Sequence, residues 1–377
     1  MKRNWAIAIM VGAMLAAPLL AKTAGPRPKP GPRGGGVGEF RNSWRVLEPM
    51  TRRNLTIYPV VSTLGADTSG FITLDEGVAS GQVRILERGQ LQSSMVRPRD
   101  DRRWPRVGQV LDREGASVNE LVLVNDSAKP LLLLAGEVIS GGKQNRIIGA
   151  DVIVPPKSEP LPLAVFCVEH GRWSAGGGGF GSAAAIAHPE IRKEAQATKS
   201  QQGVWNSVAR AAITMSVESS TQDYATVLET AKAQVDDAAR AFQADYEREL
   251  REQMGGRGAV GVIVAINGEL VWSDVFPTAD LFHRYWPKLL RSYILEAENR
   301  GSGDEPPWGR KLTHVPGVKH AEAFLLEDRG KVSIKMEPGA YRRTEIAGNN
   351  FQVVALEAIE HSGESGLMLH YNKMTRG

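Results

Sequence analysis

One cysteine, Cys167, stands in 377 residues. No intramolecular disulfide can form, so stability must come from an apolar core, which a chain of this length can supply. The seven histidines include no HxH or HExxH spacing and no cysteine pair accompanies them, so no metal motif is present. There is no G-x-S-x-G either, which removes that signal of a serine nucleophile. Beyond Trp5 to Leu20 no apolar run is long, which excludes a polytopic membrane protein. An ordinary apolar content of 42% excludes wholesale disorder and fibrous rods.

Net charge is small in the body. The chain has 46 Lys and Arg against 42 Asp and Glu, a net of +4, but the surplus sits at one end. Residues 1–53 hold ten basic side chains and two acidic ones (Glu39 and Glu48), a net of +8, which leaves −4 for the rest. An acidic body argues against nucleic acid as a partner, since duplex binding needs a basic face on the folded part.

The first 21 residues have the plan of a secretory signal: Lys2 and Arg3, the run from Trp5 to Leu20, then small residues near Ala21. Export, to a periplasm or the medium, is the expectation, with an uncleaved membrane anchor as its alternative and no membrane insertion beyond this segment. Between 24 and 38, AGPRPKPGPRGGGVG is two-thirds Pro and Gly with only basic charges. Such a stretch cannot bury a core. Residues 22–53 therefore read as a basic linker, and 54–377 as one large α+β domain with possible sub-lobes at 54–173 and 201–377, joined by the Gly-rich 174–200.

Periodicity predicts a mainly antiparallel β N-terminal half: LTIYPVVS, VRIL, NELVLVN, LLLLAGEVIS, RIIGADVIV and LPLAVFCVE. Within it, RPRDDRRWPR (97–106) reads as a solvated loop, with base or sugar stacking as the sharper reading. The middle is helical, over Gln201 to Ser216 and Asp223 to about Gln253. Asn267-Gly268 marks a type I′ hairpin, and a helix follows with Thr278 as N-cap. AEAFLL, KVSIKM, YRRTEI, FQVVALEAI and LMLHYN read as closing strands.

Three constellations could carry chemistry. Gly141, Gly142, Lys143, Gln144, Asn145 and Arg146 lie between apolar strands, where two glycines permit a tight turn and four donor-rich side chains suit a phosphate or carboxylate. A solvent-exposed hairpin tip is the plainer reading. The stretch is not a Walker A loop: the Gly136 to Lys143 spacing is one residue too long, and Gln144 stands where Ser or Thr would bind magnesium. Gly176, Gly178 and Gly181 match a dinucleotide fingerprint only by chance, so no cofactor is expected. The second constellation is acidic. On the helix after Thr278, Glu296 falls within the apolar arc of Phe282, Trp286, Leu289, Tyr293 and Ala297. Asp274 shares the Trp272 side of its strand, and Glu137 follows Gly136. Each could act as a general acid or base or orient a ligand; Glu296 could equally pair with a buried arginine. Arg284, Lys288 and Arg291 read as the solvated face of that helix. Third, Cys167-x-x-His170 places a thiol on an apolar strand, where burial makes it inert.

AGEVISGGKQNRIIGADVIVPP, FCVEHGRW, QGVWNSV, NGELVWSDVF and RYWPKLLRSYILEA, in this order, resemble the domain family associated with ARG and rhodanese-phosphatase-superfamily proteins. The resemblance runs from about Leu55 to Tyr371. It implies, by context, a link to ADP-ribose or NAD metabolism, although an exported copy would not meet the cytosolic nucleotide pool. It also implies hallmark polar positions at Glu137, Gly141, Gly142, Lys143, Gln144, Asn145, Arg146, Glu169, Arg172, Trp173, Trp205, Asp274, Trp286, Ser292, Tyr293 and Glu296. The combined expectation is an exported α+β domain that binds a small anionic ligand, nucleotide- or sugar-phosphate-like. Lys143, Asn145 and Arg146 would hold the anion, and Glu137, Glu296 or Asp274 would orient it. A non-catalytic envelope interaction module is the alternative, and the oligomeric state stays open.

Overall fold

A computed structural model describes residues 35–87, 120–171, 179–254, 258–301, 314–337, 341–359 and 366–376, all within one compact unit, Pro32–Gly377. The signal segment, the 97–106 loop, Arg172, Trp173 and residues 174–178 lie outside the described residues. The fold is α+β, with antiparallel sheets in the N-terminal half, helices in the middle and strands at the C-terminus.

The N-terminal half contains a closed six-stranded barrel. Its strands are β5 (Val83–Glu87), β6 (Glu120–Asn125), β8 (Glu137–Gly141), β9 (Arg146–Ile148), β11 (Leu161–Cys167) and β12 (Phe180–Ile186), all pairing antiparallel. Alternate residues, among them Ile85, Leu123, Ile139, Ile148 and Val165, fill its interior. Val138, Ile147 and Ile186 belong instead to the main core outside. These strands are apolar on both faces because the barrel wall is itself packed against the rest of the protein. Beside it, β4 (Ile72–Thr73), β7 (Leu131–Leu133) and β10 (Val152–Val154) form a small sheet. The capping-box helix α2 (Leu74–Ala79) follows β4 directly, the Thr73 side chain accepting from Glu76 N and the Glu76 carboxylate from Thr73 N.

The second β system is a nine-stranded sheet. Along it run β1 (Trp44–Val46), β3 (Leu55–Ser62), β13 (Gly261–Ile266), β14 (Glu269–Val275), β18 (Leu367–Thr375), β17 (Phe351–Ala358), β16 (Tyr341–Ala347) and β15 (Lys331–Glu337), with β2 (Met50–Arg52) also on β3. Asn267 and Gly268 turn β13 into β14 with φ of 53° and 83°, the pair of positive angles that a type I′ turn requires. Between barrel and sheet runs a helical layer: α3 (Pro189–Lys193) with a π turn to Thr198, α4 (Gln201–Thr214), α5 (Tyr224–Met254) and α6 (Ala279–Asn299). Thr278 caps α6, accepting from Leu281 N at 3.1 Å. The α5 stripe of Tyr224, Ala231, Val235, Phe242 and Tyr246 is buried.

Four expectations need correction. Residues 37–53 are not linker: α1 (Val37–Ser43), β1 and β2 are folded, with Phe40 buried and Trp44 edge-on to Tyr371 at 5.0 Å. Those apolar anchors outweigh the basic composition around them. The 179–200 part of the supposed connection supplies a barrel strand and α3, and β3 pairs with β13, so the proposed sub-lobe boundary cuts through one sheet. LLLLAGEVIS and RIIGADVIV each break into two strands; Gly136, at φ +90°, turns the first. AEAFLL belongs to a helix, α7 (Val318–Leu326), whose buried Ala321 and Leu325 are four residues apart.

Candidate functional site

The Gly141–Arg146 turn is not an exposed tip. Gly141 and Gly142 have φ of +128° and +53°, and a Cβ on them would come within 2.6 Å of Gly179 O and 2.3 Å of the Phe180 ring. Close approach to β12 thus accounts for both glycines. Gln144, Asn145 and Arg146 are buried. Gln144 Nε2 donates to Glu169 O (2.9 Å), and Asn145 Nδ2 to Asp223 (3.0 Å). The Asn145 backbone N–H donates to the Glu169 carboxylate (3.2 Å), and Lys143 N to Glu87 (3.2 Å). Arg146 pairs in register with Cys167 and Ile139, so alternation turns its side chain toward one end of the barrel interior. Burial pushes the Cys167 thiol up, against the opposing pull of Arg146, which fits an inert cysteine.

The three acids sit in three separate side-chain networks. Asp274 is fully buried and accepts from every side. Arg192 from α3 grips it bidentately (2.9 and 2.9 Å), Trp272 Nε1 (2.9 Å) and Tyr293 donate to Oδ2, and Asn372 Nδ2 (2.9 Å) donates to Oδ1. His370 bridges Asp274 (3.0 Å) to Asp151 (2.6 Å). Burial opposes charge on Asp274, but Arg192 and then His370 outweigh it and hold the carboxyl well below the usual range. Burial likewise opposes charge on His370, and Asp151 followed by Asp274 raises its pKa to about 9. The centre is therefore a cationic imidazole and guanidinium balanced by two carboxylates. It also joins the two β systems, because Arg192 Nε donates to Ala135 O and Asp151 accepts from Ala135 N. Gly136 is required here: a Cβ would lie 2.5 Å from Arg192 Cγ.

Glu137, fully buried, accepts from Leu134 N (2.7 Å) and pairs with Lys288, which also reaches Asp75 at 2.8 Å. Lys288 is 4% exposed, contrary to its expected place on a solvated helix face. Burial works against its ammonium, but the two carboxylates keep its pKa above the ordinary value. Arg284, on the same face, pairs with Glu76, while Arg291 is half exposed and pairs with Asp236. Glu296 accepts from Arg300 Nε (2.6 Å) and from Glu190 N (2.9 Å), the arginine-paired reading of this residue. Among the remaining hallmark positions, Glu169, Trp286 and Ser292 are buried, and Trp205 meets His170 edge-on at 4.5 Å.

Of three surface clefts, none is lined by Lys143, Arg146 or any of the three acids. One of them, about 520 Å³, lies between α7, the β16–β17 turn and the end of β18. Phe324 and Phe351 supply its apolar walls, and Lys373, Arg329, Asn349, Asn350, Thr375 and the Glu327 carboxylate its polar groups. Lys373 is 1% exposed, with its ammonium 4.0 Å from the centre of the Phe351 ring and 5.0 Å from that of Phe324, and it donates to Glu327 O. No ion pair within 4 Å holds it among the described residues; burial lowers its pKa to about 8, against the opposing pull of the more distant Glu327 carboxylate. Sequence reasoning missed this residue. Its signal was a lysine within LMLHYNKMT, at a strand position whose neighbours are core, just as His370 was a polar residue at an inward position of the same strand.

The arrangement defines an α+β domain whose three candidate acids are internally neutralised and whose Lys373 is a buried cation with no ion pair among the described residues. The chain belongs to the ARG and Rhodanese-Phosphatase-superfamily-associated Protein domain family, whose model matches residues 43–371. No curated protein and no solved structure matches it. No helix of the described residues is long and apolar enough to cross a membrane.

Proposed function

We propose that this domain binds a small anionic ligand, nucleotide- or sugar-phosphate-like, in the cleft around Lys373. The observation that carries the reading is the Lys373 ammonium: buried, without an ion-pair partner among the described residues, and lining a cleft large enough for such a ligand. A bound phosphate or carboxylate would offset its desolvation with charge-assisted hydrogen bonds. Arg329 adds a second cation, the Asn349 and Asn350 amides add donors, and the two rings offer surfaces for a flat apolar group, while the Glu327 carboxylate, which also lines the cleft, opposes an anion placed beside it. The Gly141–Arg146 turn then supports the barrel end. The contextual link to ADP-ribose that the family resemblance implies makes ADP-ribose one of the probes. The N-terminal segment is proposed to export the domain, which sequencing of the mature N-terminus near Ala21 tests.

Titration calorimetry with inorganic phosphate, AMP and ADP-ribose at pH 7 tests the binding. At least one should bind, and Lys373→Met should weaken it by about tenfold or more, the loss of one charge-assisted contact. Because the Lys373 pKa is lowered to about 8, affinity should decline as pH rises through that value. Failure of all three probes to bind, or undiminished affinity in Lys373→Met, overturns the proposal.

A further inference from the structure

Strand β15 ends the nine-stranded sheet, and among the described residues it pairs only with β16. Its residues alternate, and the apolar set on one face is open to solvent: Val332 is 55% exposed, Ile334 59% and Met336 55%. Register carries Val332 and Ile334 inward through Ile346 and Thr344 of β16 to Val353 and Ala355 of β17, which are buried, while Met336 lies in line with the Arg342–Glu357 ion pair. The exposed row thus continues a core face past the point where its cover stops. Free edges normally carry charge, bulges or proline to prevent pairing, and a long apolar edge is a template for another strand.

We propose that β15 pairs antiparallel with β15 of a second copy of this chain, across a two-fold axis at Ile334. The strand's own sequence selects that occupant and its register. Centred on Ile334, Val332 faces Met336 of the second copy and Ser333 faces Lys335. Apolar meets apolar on one face, and no like charges oppose each other on the other. Shifting the centre by one residue to Ser333 sets Lys331 against Lys335, and shifting it to Lys335 sets that lysine against itself. Slipping by half a step sets apolar against polar side chains throughout. Only the Ile334 register satisfies both faces. The contact is isologous, as closed two-fold dimers require, and it joins two nine-stranded sheets into one. Strand pairing over seven residues is a small interface, so the dimer belongs to the weak, concentration-dependent class.

Sedimentation of the full chain over about 1 to 200 μM should show a monomer–dimer equilibrium. Ile334→Lys, which opposes two lysines at the axis, should leave a monomer with an unchanged circular dichroism spectrum. Under mild oxidation Ile334→Cys should form a disulfide-linked dimer. Val332→Cys should not, because its own copy lies four residue steps, about 13 Å, away. The native thiol is buried and does not interfere. A chain that stays monomeric across the range, a dimer that survives Ile334→Lys, or an Ile334→Cys variant that does not cross-link overturns the proposal.

Discussion

The middle and the edge of the nine-stranded sheet invert the usual distribution of polarity. Its central strands β14 and β18 bury Asp274, His370 and Asn372 with no exposure, while its terminal strand β15 leaves three large apolar side chains more than half exposed. Side-chain alternation is the same in both places; what differs is the layer above. Over the centre lie α3 and the segment that leads from barrel strand β9 into β10, which deliver Arg192 and Asp151, so buried charges meet partners of opposite sign. Over the edge nothing among the described residues arrives. A polar group can thus be buried wherever a second layer brings its complement, and an apolar one is left exposed wherever the layer ends.

The largest effect should come from removing Asp274. Asp274→Ala leaves the Arg192 guanidinium buried without its carboxylate and strips a partner from Trp272, Tyr293, His370 and Asn372 at once. Breaking a buried pair from one side costs about 3–5 kcal/mol. Chemical denaturation measures it, and adding Arg192→Met should recover part of the loss, because the orphaned charge is gone. Should Asp274→Ala cost under about 1 kcal/mol, the centre would be no joint between barrel and sheet.

A smaller effect concerns protons. Since the His370 pKa is raised from 6.5 to about 9, its stabilisation is complete below the unfolded value and is lost as pH rises through the folded one. Between those limits His370 should withdraw about 3 kcal/mol, offset in part above pH 8, where Lys373, with its pKa lowered to about 8, sheds its buried charge in the folded state first. The lowered pKa values of Asp274 and Asp151 act at the other end, their stabilisation being lost as pH falls below 3.8. Denaturation series from pH 6 to 9.5 should show the alkaline slope in the wild type and its absence in His370→Gln. A flat wild-type profile would mean that the folded protein holds the imidazole neutral.

Much of this architecture is legible in local pattern. The Asn267-Gly268 hairpin, the Thr278 cap and the α5 stripe depend on neighbours a few residues apart, and the structure has all three. Asp274 and Glu296 were correctly placed on inward faces by period alone. What period could not supply was the partner. Lys288 pairs with Glu137, 151 residues away, and Arg192 with Asp274, 82 away, so a lysine that reads as solvated is in fact clamped. The 141–146 turn misleads for the same reason: donor-rich side chains look free until Glu169, just past β11, and Asp223, just before α5, come in from 24 and 78 residues away. AEAFLL was ambiguous because six residues fit either period.

The smallest effect belongs to the edge, and it isolates what the centre cannot. Ile334→Thr keeps a β-branched residue suited to a strand while removing apolar surface that is already 59% exposed in the single chain. At low micromolar concentration, where the chain should be monomeric, the substitution should change folding stability by no more than about 0.5 kcal/mol. At high concentration the same substitution should lower the dimer fraction, so any stability difference should grow with protein concentration, as linkage to association demands. A cost above about 1 kcal/mol in the dilute protein would mean that Ile334 is packed by its own chain, and the contrast between a partnered centre and an unpartnered edge would fail.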